Sequence, residues 1–239
     1  MKLVVANHKM NLTLPEIHDY KKMVEEIEYQ NLKLVICPSF PYLTELDSNK
    51  YMLGSQNVGI LESGALTGEV SAKQLSFLHV SYVIVGHSER RTILNEKNDV
   101  IRQKIEQVLK SGMHVILCIG ENKEENTKGK TKKVLKEEIT SVLSNLSKEK
   151  LGKIVIAYEP IWSIGTGIIP TSDEIYSTIE YIKNLVFDEY DVELKVLYGG
   201  SVNQDNIEEL ENIENIDGYL IGGASLNPHK LKEICSKVR

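Results

Sequence analysis

Little in this sequence points to a membrane, a disulfide framework or a metal. No run of about 18 apolar residues occurs, so no segment reads as a membrane span. Cysteine is scarce: Cys37, Cys118 and Cys235 are the only 3 among 239 residues. They are widely spaced, and two lie inside or at the end of apolar runs, so they read as reduced residues without metal-ligand spacing. His8, His18, His79, His87, His114 and His229 form no ligand cluster either. The serines lack a nucleophile-elbow pattern, and no cofactor fingerprint is found, so neither metal nor cofactor is expected. Tryptophan occurs once, at Trp162. The net charge of −6 lacks the positive excess that a nucleic-acid or anionic-membrane partner requires. No charged leader precedes the first strand, and no low-complexity linker divides the chain. These absences lead us to expect a cytoplasmic protein whose residues 1–239 form one domain. At 41% hydrophobic content, that length buries a large core without staples.

What is present is an alternation. Short apolar runs, rich in β-branched residues, each close on a polar residue, a proline or a glycine. Lys2–Ala6 ends on Asn7, Leu32–Cys37 at Pro38, Tyr51–Ser55 on Gln56, and Tyr82–Gly86 on His87. His114–Ile119 ends at Gly120-Glu121, and Lys153–Tyr158 ends on Glu159. Leu194–Tyr198 ends at Gly199-Gly200, and Gly218–Ile221 at Gly222-Gly223. Between them lie apolar residues at helical spacing. Ile17, Tyr20, Val24 and Ile27 form one face, Ile101, Ile105, Val108 and Leu109 another, and Ile139, Val142, Leu143 and Leu146 a third. Thr171 to Glu174 opens a further helix with a hydroxyl cap and early acids, and Gly112 stands where a C-terminal glycine belongs. Buried strands alternating with helices imply parallel pairing through helical crossovers. Eight such units in 239 residues suit a closed (β/α)8 barrel. The open doubly wound sheet would carry a glycine fingerprint after its first strand, where Asn7-His8-Lys9 stands instead. A barrel also gathers its strand tips on one face, making neighbours of Asn7, His87 and Glu159.

Those tips carry the chemistry. Glu159 ends a strand, and Pro160 stops the ladder. Beyond them come Trp162 and the glycines Gly165 and Gly167. A carboxylate beside an apolar, glycine-hinged segment suits a base under a movable lid; the plainer alternative is a surface salt bridge at a strand end. Lys9 places a positive charge at the mouth, fit for a phosphate, a developing oxyanion, or a simple ion pair. If the residues after His87 open a helical turn, its N–H groups disfavour imidazolium and leave a neutral ring that can donate to a carbonyl. Gly199-Gly200-Ser201 and Gly222-Gly223 close the last two strands, where barrels commonly bind phosphate; a helix beginning at Ala224 would add its dipole. Lys123 to Lys133 reads as an exposed loop and helix start. The loop 58–68 carries Ile60, Leu61 and Leu66 among three glycines, and either folds on its own barrel or enters a second subunit.

Taken together, these stretches resemble the triosephosphate isomerase family. Asn7-His8-Lys9-Met10-Asn11 is similar to its first-strand motif, Ser55-Gln56-Asn57 and Gly64 to Glu69 to its third-strand segment, and Gly86 to Arg91 to its electrophile motif. Ala157 to Gly167 resembles its base and lid, and Tyr198 to Val202 and Gly222 to Leu226 complete the set. The resemblance implies an aldose–ketose isomerase acting on dihydroxyacetone phosphate and glyceraldehyde 3-phosphate through an enediolate. Glu159 would be the base, His87 the neutral acid, Lys9 the stabiliser of charge, and Asn7 a substrate-orienting residue. Backbone groups at Gly165, Ser201, Gly222 and Gly223 would hold the phosphate. Glu89 would pair with Lys9, and Cys118 would pack near the site. Ile164 and Leu220 would close over Glu159, raising its pKa by desolvation. The loop 58–68 would enter a partner subunit, with Thr67 reaching the Asn7 and Lys9 region of a homodimer. Three departures stand out: His8 where tryptophan is usual, Ile161 and Ser163 at the start of the lid, and Ile168-Ile169-Pro170 after it. Other readings of the same scaffold are a different phosphosugar isomerase or lyase, or a non-catalytic barrel.

Overall fold

The computed structural model describes residues 1–164 and 169–239. Its centre is a closed parallel barrel of eight strands in sequence order. These are β1 (Lys2–Asn7), β2 (Leu32–Cys37), β3 (Met52–Ser55), β4 (Tyr82–Val85), β5 (His114–Ile119), β6 (Ile154–Tyr158), β7 (Lys195–Tyr198) and β8 (Gly218–Ile221). Closure comes from β1 pairing with β8 in the register Val5↔Leu220 and Ala6↔Ile221. The helices are α1 (Leu14–Val24), α2 (Ala72–Phe77), α3 (Ser88–Thr92), α4 (Asn98–Lys110), α5 (Lys123–Thr127), α6 (Thr131–Leu143), α7 (Lys148–Leu151), α8 (Ser172–Tyr190), α9 (Ile207–Leu210) and α10 (Pro228–Lys237). Among the described residues no helix is long and apolar enough to cross a membrane.

Strand alternation sorts side chains into two cores. Leu3, Val5, Val35, Cys37, Ile84, Ile116, Cys118, Val155, Ala157, Leu197 and Leu220 fill the barrel interior. Val4, Ala6, Leu34, Ile36, Val83, Val115, Ile156 and Val196 face outward onto the helices. The helical faces read from spacing are the ones buried there: Ile17, Tyr20 and Val24 on α1, Ile101, Ile105, Val108 and Leu109 on α4, and Ile139, Val142 and Leu143 on α6. Helix starts are held by side chains. Thr171 Oγ1 accepts from the Glu174 N–H at 3.3 Å, and the Glu174 carboxylate accepts from the Thr171 N–H at 2.8 Å. Gly112, after α4, has φ 82°, a left-handed end that costs glycine little.

Two local expectations need correction. The stretch from Lys123 holds a short helix, α5, before α6 begins at Thr131. Asn122 caps it by accepting from the Glu125 N–H at 3.0 Å, which turns a charged loop into a helical turn. After β8 no α-helix begins at Ala224. A 3-10 turn spans Gly223–Leu226, and α10 starts only after Asn227, whose side chain caps it.

Candidate active site

The interior parity of the strands carries straight into the mouth. Leu3 and Val5 point inward, so Asn7 follows them; Val155 and Ala157 do, so Glu159 follows; Leu220 leads likewise to Gly222. His87 would fall on the wrong side of β4 by that rule, since Ile84 faces in. Gly86 breaks the alternation with φ 72°, a conformation open to glycine, and His87 turns into the mouth. Arg91 braces this turn by donating to the Gly86 carbonyl at 2.8 Å and to the Cys118 carbonyl at 3.1 Å.

Lys9 sits in a left-handed backbone conformation, φ 52°, unusual for a lysine. Its surroundings hold it there. The Lys9 N–H donates to Asn7 Oδ1 at 3.1 Å, and the Lys9 carbonyl accepts from Ser39 Oγ at 3.0 Å and Gln56 Nε2 at 2.8 Å. The ammonium pairs with Glu89 at 2.6 Å, the pairing the resemblance implied. Ser39 was not foreseen from sequence, because its role depends on β2 lying beside β1.

Glu159 is buried, 2% exposed, and its carboxylate accepts from the Ser88 N–H at 3.0 Å while facing His87 Nε2 at 3.1 Å. Burial pushes its pKa up, but the charge and hydrogen bond of His87, the Ser88 N–H and Lys9 together hold the carboxyl below its ordinary value. The expected upward shift is therefore absent from this arrangement; the carboxylate's own partners outweigh desolvation. For His87, burial acts downward, yet Glu159 raises the ring above its usual value. His87 Nδ1 accepts from the Glu89 N–H at 3.3 Å, which places the ring proton on Nε2, facing Glu159.

The mouth holds a cavity of about 410 Å³ lined by Asn7, Lys9, His87, Glu159, Ile164, Ser201, Gly222 and Gly223, among others. At its far side, among the described residues, the backbone N–H groups of Ser201, Gly222 and Gly223 have no backbone acceptor. Open N–H groups beside glycine are suited to an anion. Gly165, the remaining candidate for this cradle, lies outside the described residues, as do the rest of the lid to Gly167 and Ile168 after it. The start of that segment is anchored on a carboxylate that sequence reasoning overlooked. Glu121 is fully buried; it accepts from Trp162 Nε1 at 2.8 Å and from Tyr158 Oη at 3.3 Å, and its carbonyl accepts from the Ile161 N–H at 3.1 Å.

The family model described as triosephosphate isomerase matches residues 2–238. The chain belongs to the triosephosphate isomerase family. Triosephosphate isomerase of Colwellia psychrerythraea is 42% identical, over 99% of this chain and 97% of that protein. The triosephosphate isomerases of Dictyoglomus turgidum and Dehalococcoides mccartyi are 40% and 42% identical, each over 98% of this chain and over 98% and 94% of their own lengths.

Within the triosephosphate isomerase family pattern, His8 is the departure with the clearest structural outcome. It is fully buried, packs edge-on against the Tyr20 ring at 4.6 Å, and among the described residues neither ring nitrogen has a hydrogen-bond partner. Burial alone lowers its pKa to about 4, so the ring stays neutral and serves as a packing group. Ile161 and Ser163 form the 3-10 turn that leads into the lid, and the Ser163 carbonyl accepts from Ser201 Oγ at 2.7 Å. Cys118, expected near the site, is buried in the barrel interior beneath it.

Proposed function

We propose that the chain is a triosephosphate isomerase in activity, interconverting dihydroxyacetone phosphate and glyceraldehyde 3-phosphate with Glu159 as base. One observation carries the assignment of roles: Glu159, His87 and Lys9, from three distant strand ends, line one cavity that ends in a glycine-rich cradle. Substrate enters with its phosphate on the N–H groups of Gly165, Ser201, Gly222 and Gly223, and Asn7 orients it. The carbonyl displaces Glu159 as the partner of His87 Nε2–H. With that exchange His87 loses the charge that raises its pKa, and burial and Lys9 favour the neutral donor. Freed, the Glu159 carboxylate takes a proton from C1. The C–H electron pair becomes the C1–C2 double bond, and the carbonyl π electrons move to O2. His87 and Lys9 stabilise that enediolate oxygen. Return of the carbon proton to C2, with transfer of the hydroxyl proton from O1 to O2, leaves the aldehyde. Ile164 and Leu220, both at the cavity wall, supply the apolar cover over Glu159 when the lid closes, which raises its basicity.

The working unit in this reading is a homodimer, in which Thr67 of one chain reaches toward the partner's Asn7 and Lys9. Supporting it, Met10, Ile93 and Leu94 are exposed beside Lys9 and His87, and Leu61 and Leu66 are exposed on the loop 58–68. A cytoplasmic setting goes with it; the three free, buried thiols suit a reducing compartment. The test is a coupled assay with glyceraldehyde 3-phosphate on the wild type and Glu159→Asp. Shortening the base displaces it by about 1 Å and lowers turnover on the order of 100-fold. A wild type no faster than the uncatalysed reaction would sink the assignment. Equal rates in the two proteins would remove Glu159 from the role of base.

A further inference from the structure

Lys230 has no part in the roles given above, yet it lines the same cavity as Gly222 and Gly223. It lies in the first turn of α10, where its N–H, like that of His229, donates to Asn227 Oδ1. A cation there opposes the positive end of the helix, and α10 carries no acid in its first turn to balance it. The side chain is exposed and, among the described residues, makes no ion pair or side-chain hydrogen bond. Helix stability therefore does not account for a lysine at this place.

The charges around the cavity are unevenly matched. Lys9 is tied to Glu89, and Glu159 faces His87. The side chain of Asp205, which also lines the cavity, takes a hydrogen bond from Gln204 at 3.2 Å. A dianion arriving at the Gly222–Gly223 cradle thus meets one cation not committed to a neighbour. We propose that Lys230 is a further substrate-binding residue, which draws the phosphate end of the substrate into the cradle. This rests on reading the cavity as a triose phosphate site.

The test compares wild type with Lys230→Arg, Lys230→Gln and Lys230→Glu. It measures KM for glyceraldehyde 3-phosphate and competitive inhibition by inorganic phosphate at low and high salt. Lys230→Gln should raise both KM and the phosphate inhibition constant roughly two- to fivefold at low salt, mainly at the expense of kcat/KM. Lys230→Glu should raise them further, Lys230→Arg should restore them, and salt should compress the whole series. Equal constants across the series would overturn the proposal. So would a loss that arginine does not repair or that salt does not diminish, since that is how a purely structural residue behaves. An inactive wild type would instead remove the isomerase assignment; phosphate binding followed by calorimetry would then still decide whether Lys230 attracts the anion.

Discussion

His87 Nε2 lies 3.1 Å from Glu159 Oε1, with both side chains buried. Each group therefore sets the other's protonation. Glu159 holds His87 above the usual imidazole range, whereas burial and Lys9 act in the opposite direction. Replacing Glu159 by Gln should make His87 titrate at lower pH than in the wild type, as followed by ring-nitrogen NMR. An unchanged or higher pKa would mean that the pair is not coupled as described.

The buried His8 should make the fold acid-sensitive. Its folded pKa, about 4, lies below the ordinary 6.5, so the folded state favours the neutral ring. This contribution is fully present above pH 6.5 and fades as pH falls through the window down to about 4. The complete loss is on the order of 3 kcal/mol. Denaturant titrations at a series of pH values should show that slope in the wild type and a flatter one in His8→Phe. Matching slopes would refute the account.

Glu121 ties the sole tryptophan to the barrel through the 2.8 Å bond from Trp162 Nε1. Glu121→Ala leaves that indole N–H and Tyr158 Oη without this acceptor, at a cost of about 1–3 kcal/mol. The emission of Trp162 should shift, and turnover should change, because the segment leading into the lid loses its anchor. An unaltered spectrum would show that the contact does not position the indole.

Association should be visible in mass and in activity together. Met10 is 96% exposed and Ile93 75%, apolar surface that a partner would cover. Light scattering should give twice the 27.0 kDa of one chain. A charge on the loop 58–68, as in Leu66→Asp, should yield monomers with activity reduced on the order of tenfold or more, since Lys9 would then lack the contact proposed with the partner's Thr67. A fully active monomer would separate catalysis from assembly.

Much of this was legible before any coordinates. Apolar runs closed by polar tips, Lys2–Ala6 on Asn7 and Lys153–Tyr158 on Glu159, mark buried parallel strands whose ends meet on one face; which residues point inward was not legible, because both faces of each strand are apolar. His87 was legible only from its surroundings, since the turn that aims it depends on a glycine φ. Ser39 and Glu121 escaped notice for another reason: each acts across space on a residue far away in sequence, Lys9 and Trp162. The downward shift of Glu159 was missed because apolar neighbours are easy to read from sequence, whereas a backbone N–H aimed at a carboxylate is not. His8 was legible only as a departure from the family pattern; that burial lowers its pKa to about 4 depends on the packing around it.

The β1–β8 pairing that shuts the ring has a bearing on biosynthesis. Lys9 follows the first of the eight barrel strands and Gly222 the last, yet an added Cβ on Gly222 would touch Lys9 Cε at 3.2 Å. The two halves of the anion-handling machinery are thus translated almost a full chain apart. A nascent polypeptide has no catalytic mouth until its final strand docks, so enzymatic turnover during refolding doubles as a clock for that last event.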